Sequence, residues 1–463
     1  MSENTNKTNG LKRDLSFGMC VALAMGAIIG AGVFSYTGYG IMYAGSGVVL
    51  AFVVAGLLTV FMTLPSMQLG SALPATGGTY MYVSRFVHPI FGYVQILNTL
   101  IGSLNIAIMS ISFAQYFTSL VPGVDPRLAG AAICILLAVV ATFGAKMSGN
   151  VQKVIVGILL IALGVYFFKG IGHVNPDYMT VGKAFQPLGG FAGIWAAIAI
   201  LRYTTQGGTI VMALGDEVKD PGRTIPKAFF VGTFLVTIIY AMVAFVAAGV
   251  LPIDQVSGQP LSVSAESFLG GGWFTFFIIG GGLLATLTTL NGSFLIYSRL
   301  HFAAARDGIW PEVFKKTNKY GVPYVTLWTV TAMAMVPILT GMSLGDVFKF
   351  VAVPGMLLSI IYYIPPMLLP RKFPNCHKKA WFHMPQQATI VICVISVILS
   401  TSFGMSLFSR MKPEHYMGMF AFFGIGLVYW FLRIRYLKAK GIDLVATMKG
   451  AHPYWIEKEE EAA

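Results

Sequence analysis

Apolar residues run through this chain in stretches of about 20, and the short segments between them hold nearly all its polar residues. A helix needs about 20 apolar residues to cross the hydrocarbon core of a bilayer, so each stretch predicts one spanning helix. About twelve are expected, over residues 15–42, 46–69, 89–120, 127–145, 151–172, 187–215, 228–251, 272–300, 324–341, 345–370, 386–408 and 416–436. The fold class is therefore an all-α integral membrane protein. Residues 1–10 are polar, the first apolar run is too long for a signal peptide, and no small-residue cleavage site follows it, so no cleaved leader is expected.

Two of these runs are interrupted. In the first, Gly26-Ala27-Ile28-Ile29-Gly30-Ala31-Gly32-Val33 sets three glycines in the middle of the span. Each glycine costs a helix interior roughly 1 kcal/mol relative to alanine. Lipid cannot satisfy the backbone groups that a break sets free, so protein or a water-filled cavity must. Such a break marks a binding site. The second interruption is Arg202-Tyr203-Thr204-Thr205-Gln206-Gly207-Gly208-Thr209, in the sixth run. Spans one and six lie five apart and enter from opposite sides, as in two inverted five-helix repeats with a site between them. The segments are then 1–14 (N-terminal), 15–172 (first repeat), 187–370 (second repeat), 386–436 (two peripheral helices) and 437–463 (C-terminal tail).

Composition supports a membrane protein: 56% of residues are hydrophobic, 11% are charged, and mean hydropathy is +0.74. The net charge of +13 could suggest nucleic acid, but its placement gives another reason for it. With the N-terminus in the cytoplasm, 24 of the 31 Lys and Arg fall on cytoplasmic segments and 6 on outer segments or outer helix ends. This positive-inside bias predicts a plasma-membrane protein with both termini cytoplasmic, whose partners are the bilayer and a small solute, with no nucleic acid. Cys20, Cys134, Cys376 and Cys393 show no metal or redox spacing and are expected as free thiols. The 7 histidines and 18 carboxylates fall in loops or at helix ends, with Asp216 and Asp346 nearest to a span. No catalytic centre, cofactor or metal is expected from such a pattern, nor a proton pump built on a buried acid.

Five elements in order carry a further expectation. They are Ile29-Gly30-Ala31-Gly32-Val33-Phe34; Leu73-Pro74-Ala75-Thr76-Gly77-Gly78-Thr79-Tyr80; and Asp216-Glu217-Val218-Lys219-Asp220-Pro221-Gly222-Arg223-Thr224-Ile225-Pro226. Asn291 and Ser298-Arg299 follow with Ala304-Ala305-Arg306-Asp307-Gly308-Ile309-Trp310-Pro311, and last comes Gly321-Val322-Pro323. Together they resemble the amino acid–polyamine–organocation superfamily of permeases, over nearly the whole chain. The resemblance implies a ten-helix inverted-repeat core of leucine-transporter type with two peripheral helices. It also implies carriage of amino acids or related amines by alternating access.

The expected substrate site joins Ile29, Gly30, Ala31 and Gly32 to Tyr203, Thr204, Thr205, Gln206 and Gly207. The half-helix after the first break offers N–H groups and a positive dipole end to a carboxylate. Carbonyls freed at both breaks would accept from an ammonium group, and glycine lets a solute approach bare backbone. Close helix packing is the other use of such glycines. Arg202 is the one charge deep in a span, at a cost of about 2.5–3.5 kcal/mol on the mildest scale. Either it lines the cavity and favours a carboxylate-bearing over a cationic substrate, or it bonds carbonyls of a neighbouring helix. Where many family members place an aromatic gate this chain has Thr205, leaving Tyr203 as a closing aromatic. The resemblance sets Asn105 near the substrate; an interhelical hydrogen bond is its other reading, and the stronger one for Asn291.

Coupling stays open at this level. Some sodium-independent relatives carry a lysine in the fifth helix, where this chain has Leu159; Lys153 lies nearer the cytoplasmic end. A cation site of first-helix carbonyls and the hydroxyls of Thr286, Thr288 or Thr289 is an alternative, though threonines in apolar helices more often bond back to their own carbonyls. Substrate–product exchange leads, and sodium- or proton-coupled symport follows. A sensor or channel on the same fold is the competitor of another class. The acidic end Glu457-Lys458-Glu459-Glu460-Glu461 is expected as a solvated, unstructured tail.

Overall fold

A computed structural model describes residues 7–8, 11–12, 15–74, 78–143, 149–179, 190–214, 218–320, 322–450 and 453–461. Ala75, Thr76, Gly77, Asp216, Glu217 and Gly321 of the motifs lie outside these residues, as does most of the 1–14 segment; so do the side chains of Ala31 and Lys153. A two-residue antiparallel pairing, Lys7–Thr8 with Leu11–Lys12, precedes the helices.

The first apolar run divides into α1 (Phe17–Ile28) and α2 (Ala31–Ala44). Ile29 (φ −79°, ψ 69°) and Gly30 (φ −108°, ψ −141°) leave the helical region, so the backbone ladder stops and restarts there. A turn at Gly45–Gly47, with Gly45 at a φ of 54°, leads to α3 (Val48–Ala72). Next come α4 (Gly78–Phe86), α5 (Pro89–Gly102), α6 (Asn105–Leu120), α7 (Pro126–Thr142) and α8 (Gly149–Gly170). Then α9 (Phe191–Thr205) passes into a 3-10 stretch, Gln206–Leu214, before α10 (Pro221–Gly249). A π-helical stretch, Phe277–Leu283, opens into α11 (Leu284–Arg306). The chain closes with α12 (Tyr324–Thr340), α13 (Leu344–Leu357), α14 (Ser359–Lys372), α15 (Pro374–Lys379), α16 (Gln386–Phe408), α17 (Pro413–Ala439), α18 (Leu444–Lys449) and α19 (Pro453–Glu461).

Local chemistry sets several of these starts. Asp125 accepts from the Arg127 N–H at 2.8 Å ahead of α7, and Ser343 accepts from the Asp346 N–H at 3.1 Å ahead of α13. Among the described residues, eight helical segments are long and apolar enough to cross a membrane, from Gly32–Ala72 to Pro413–Ala439. Phe17–Ile28, Pro126–Thr142 and Tyr324–Thr340 are shorter apolar helices.

Packing sorts the helices into two groups. α1, α2, α3, α9 and α10 pack on one another, while α6, α7, α11 and α12 form a second set; α13 reaches α6 and α14 reaches α3. Small residues let the first group close up, as where Gly56 of α3 lies against the Thr237 side chain of α10. A Cβ on Gly56 would sit 2.2 Å from the Thr237 hydroxyl.

The acidic end departs from the sequence expectation. It is helical and docked: Trp455 is 1% exposed and stacks on Tyr82, ring centroids 5.3 Å apart. The charges that suggested solvation occupy only part of the helix, and the indole at its start supplies the burial.

Candidate functional site

The interruption between α1 and α2 faces α9, α10 and α11. The Tyr240 hydroxyl of α10 donates to the Ile28 carbonyl at 2.7 Å and is hydrogen-bonded to the Val33 backbone. One hydroxyl thus serves the last carbonyl of α1 and an early N–H of α2. The Gly30 N–H also bonds the Ile28 carbonyl, at 2.9 Å. Ile29 is buried against the core, and Ala31 begins the half-helix whose positive end faces the break.

The second interruption tightens where an open break was expected. α9 continues as a 3-10 helix from Gln206, and its threonines bond backward: Thr204 to the Leu201 carbonyl (2.7 Å), Thr205 to that of Arg202 (2.8 Å) and Thr209 to that of Gln206 (3.0 Å). These hydroxyls take up carbonyls that sequence reasoning had left for a ligand. Thr205 also bonds Thr59 of α3 at 2.5 Å.

The two interruptions meet through their glycines. A Cβ on Gly207 would lie 2.2 Å from the Ala27 carbonyl oxygen, and one on Gly32 would lie 2.9 Å from Thr204 Cβ. Ile29–Gly32 and Thr204–Gly207 are therefore one locus, held by backbone-to-backbone approach.

On the third side, α11 presents Thr289 to Gly30. A Cβ on Gly30 would sit 2.4 Å from the Thr289 hydroxyl, and that hydroxyl is buried with no hydrogen-bond partner among the described residues. Thr286 and Thr288 bond carbonyls of their own helix, at 2.8 Å to Leu283 and 2.9 Å to Ala285. Asn105 donates across to Ser293 of α11 at 3.1 Å, tying α6 to α11.

Arg202 and Tyr203 leave α9 in different directions. Arg202 is 6% exposed and turns toward α3, its Nε 3.0 Å from Met62 Sδ. With the Gln206 amide oxygen facing the guanidinium, Nη1 and Nη2 donate to it, the latter at 2.9 Å. The Tyr363 hydroxyl of α14 donates to the Met62 carbonyl alongside, at 3.0 Å. Tyr203 instead meets Phe348 of α13 edge-on, centroids 4.9 Å apart, and Phe348 also packs on Tyr36 of α2 at 5.0 Å.

Phe348, Tyr240 and the partnerless hydroxyl of Thr289 are the features that extend the site beyond the two glycine motifs. A lone tyrosine in the apolar run of α10 was the signal available for Tyr240. Phe348 offered none, since one phenylalanine among 34 carries no mark.

A helical membrane protein with a span interrupted inside its core, opposed by a second glycine-bearing helix, is a solute transporter by class. The sequence matches the amino acid permease family over residues 20–440, and the chain belongs to that family. It is similar to the branched-chain amino acid permease BcaP of Bacillus subtilis, 27% identical over 80% of this chain and 84% of that protein. The serine/threonine exchanger SteT of the same organism is 26% identical over 72% of this chain and 77% of its own length. The methylthioribose transporter of B. subtilis is 24% identical over 85% and 88%. The protein is thus a multi-pass membrane permease and not an enzyme.

Proposed function

We propose that this permease is an amino acid exchanger of the plasma membrane, working by alternating access on a zwitterionic or carboxylate-bearing solute. About twelve helices arranged as two inverted five-helix repeats plus two peripheral helices, with both termini cytoplasmic, are the topology this reading uses. The observation that carries it is the interruption at Ile29–Gly30, whose flanks pack on the second one, Ala27–Ile28 against Gly207 and Gly32 against Thr204. The α2 N-terminus takes the substrate carboxylate, and the Tyr203–Phe348–Tyr36 rings close over it. SteT is named an exchanger, which favours that mode. BcaP, SteT and the methylthioribose transporter differ in named substrate, so the solute follows from the pocket and not from membership.

Counterflow in proteoliposomes tests the proposal. Labelled neutral, acidic and cationic amino acids are offered outside, with and without the same solute inside, in the absence of sodium and of a pH gradient. Uptake that requires internal solute supports exchange and names the substrate class. Uptake that requires an imposed ion gradient rejects it.

One observation favours a second reading. The Thr289 hydroxyl, buried beside Gly30 without a partner, suits a sodium ion held with first-helix carbonyls. Thr289→Val keeps the shape and removes the oxygen. Sodium-stimulated uptake that this substitution abolishes would establish symport in place of exchange.

A further inference from the structure

The docked C-terminal helix touches three separate elements, α3, α4 and α15. Lys458 Nζ donates to the Ala72 carbonyl at 2.7 Å, at the end of α3. Glu459 accepts from the Asn375 and Cys376 N–H groups, both at 2.8 Å, at the start of α15. Trp455 stacks on Tyr82 of α4 and meets Phe86 and Phe373 edge-on, centroids 6.1 Å away in both cases. Nine residues thus pin α3 to α4 and α15.

We propose that residues 453–461 form a releasable clasp, an autoinhibitory brace that holds the inner end of α3 against α4 and α15. The autoinhibitory role rests on the proposed alternating-access reading, in which α3 travels with α1 and α9. Opening toward the side that holds the tail must part Ala72 from α15, and the clasp opposes that movement.

Three features make the clasp a switch and distinguish it from permanent core. A nine-residue helix is marginal in isolation, so its order depends on docking. Its anchorage includes one indole and three charge-assisted hydrogen bonds, and bonds of that kind near a surface weaken with salt. By contrast α18, just before it, is fixed by Leu444 at 2% and Met448 at 0% exposure. The clasp is therefore a separately opening unit on a firm mount.

Cys376 is a built-in reporter. It is 3% exposed, and burial, aided by the Glu459 carboxylate, pushes its thiol up to about 12. A thiol held there is unreactive near neutral pH.

The test uses the full-length chain, Trp455→Ala and a chain ending at Gly450. Maleimide labelling of Cys376 is followed by mass spectrometry, together with hydrogen exchange over residues 60–74. Release is expected to raise Cys376 labelling about tenfold or more and to speed exchange at the end of α3, and high salt should do the same to the full-length chain. Unchanged labelling in both variants would show that the tail does not cover Cys376. Raised labelling with unchanged exchange at α3 would show a lid that restrains nothing. Either result overturns the proposal. The exchanger reading fails by a different sign, absent counterflow in the full-length chain, which leaves both of these readouts intact.

Discussion

Gly207→Ala is the sharpest test of the site, because a single added carbon acts on one contact. The new Cβ would lie 2.2 Å from the Ala27 oxygen, 2.5 Å from its carbonyl carbon and 2.8 Å from the Ile28 nitrogen, whereas ordinary contact begins at 3.4 Å. All three are backbone atoms and cannot rotate away. The 3-10 stretch and the end of α1 must part by about 1 Å, and over-packing of this kind costs roughly 1–3 kcal/mol. If that juxtaposition is the substrate site, counterflow falls about 5- to 150-fold. Gly157→Ala in α8 is the control, since a Cβ there meets nothing within 4 Å; it should keep full activity, because alanine is the better helix former. Proteoliposome counterflow reads transport, while monodispersity and melting temperature in detergent separate lost transport from lost folding. A folded Gly207→Ala protein with unaltered counterflow would refute the claim that the two interruptions form one site.

Three further outcomes follow from the same geometry. Tyr240→Phe removes the hydroxyl shared by Ile28 and Val33, strands buried backbone groups at about 1–3 kcal/mol, and should weaken substrate affinity in counterflow competition. Arg202→Gln should lower the melting temperature without changing the preference among acidic, neutral and cationic amino acids, because the guanidinium faces Met62 and Gln206; a changed preference would give Arg202 a direct role with substrate. The pH dependence at His377 has a definite sign. Burial lowers its imidazole pKa, so its contribution is intact above the free value of about 6.5 and is lost as pH falls below it. Thermal stability in detergent should fall from pH 7 toward pH 5, and His377→Gln should flatten that fall; an identical slope in the variant would discount the residue.

The sequence made the α1–α2 break legible because glycine at Gly30 and Gly32 acts locally, on the helix that contains it. Helix limits were equally plain where polar residues bound an apolar run, as at Gln386–Phe408. What stayed hidden was pairwise. Nothing in the string joins Tyr240 to Ile28 across 212 positions, or Phe348 to Tyr203. The interruption in α9 was located correctly but given the wrong geometry, since its threonines can bond their own carbonyls and its glycine had a partner in α1. The tail was misjudged from charge alone, because one buried indole outweighs several solvated glutamates once Tyr82 is there to meet it.

The π-helical stretch ahead of α11 has a consequence for how this helix tolerates changes in length. A π turn holds a residue more than the α ladder needs, so Phe277–Leu283 stores slack in the span that presents Thr289 to Gly30. Gly281 and Gly282 let it lie flat against the rings of Phe34 and Tyr116. Removing one residue from Gly280–Gly282 would let the ladder close in ordinary register, with Thr289 still in phase with Gly30. The same deletion at Leu287 would turn everything beyond it by about 100°, swinging Thr289 away from Gly30 and Ser293 away from Asn105 together. A deletion scan along this helix should therefore show one tolerant window, at the glycines, between two stretches where a single lost residue is ruinous.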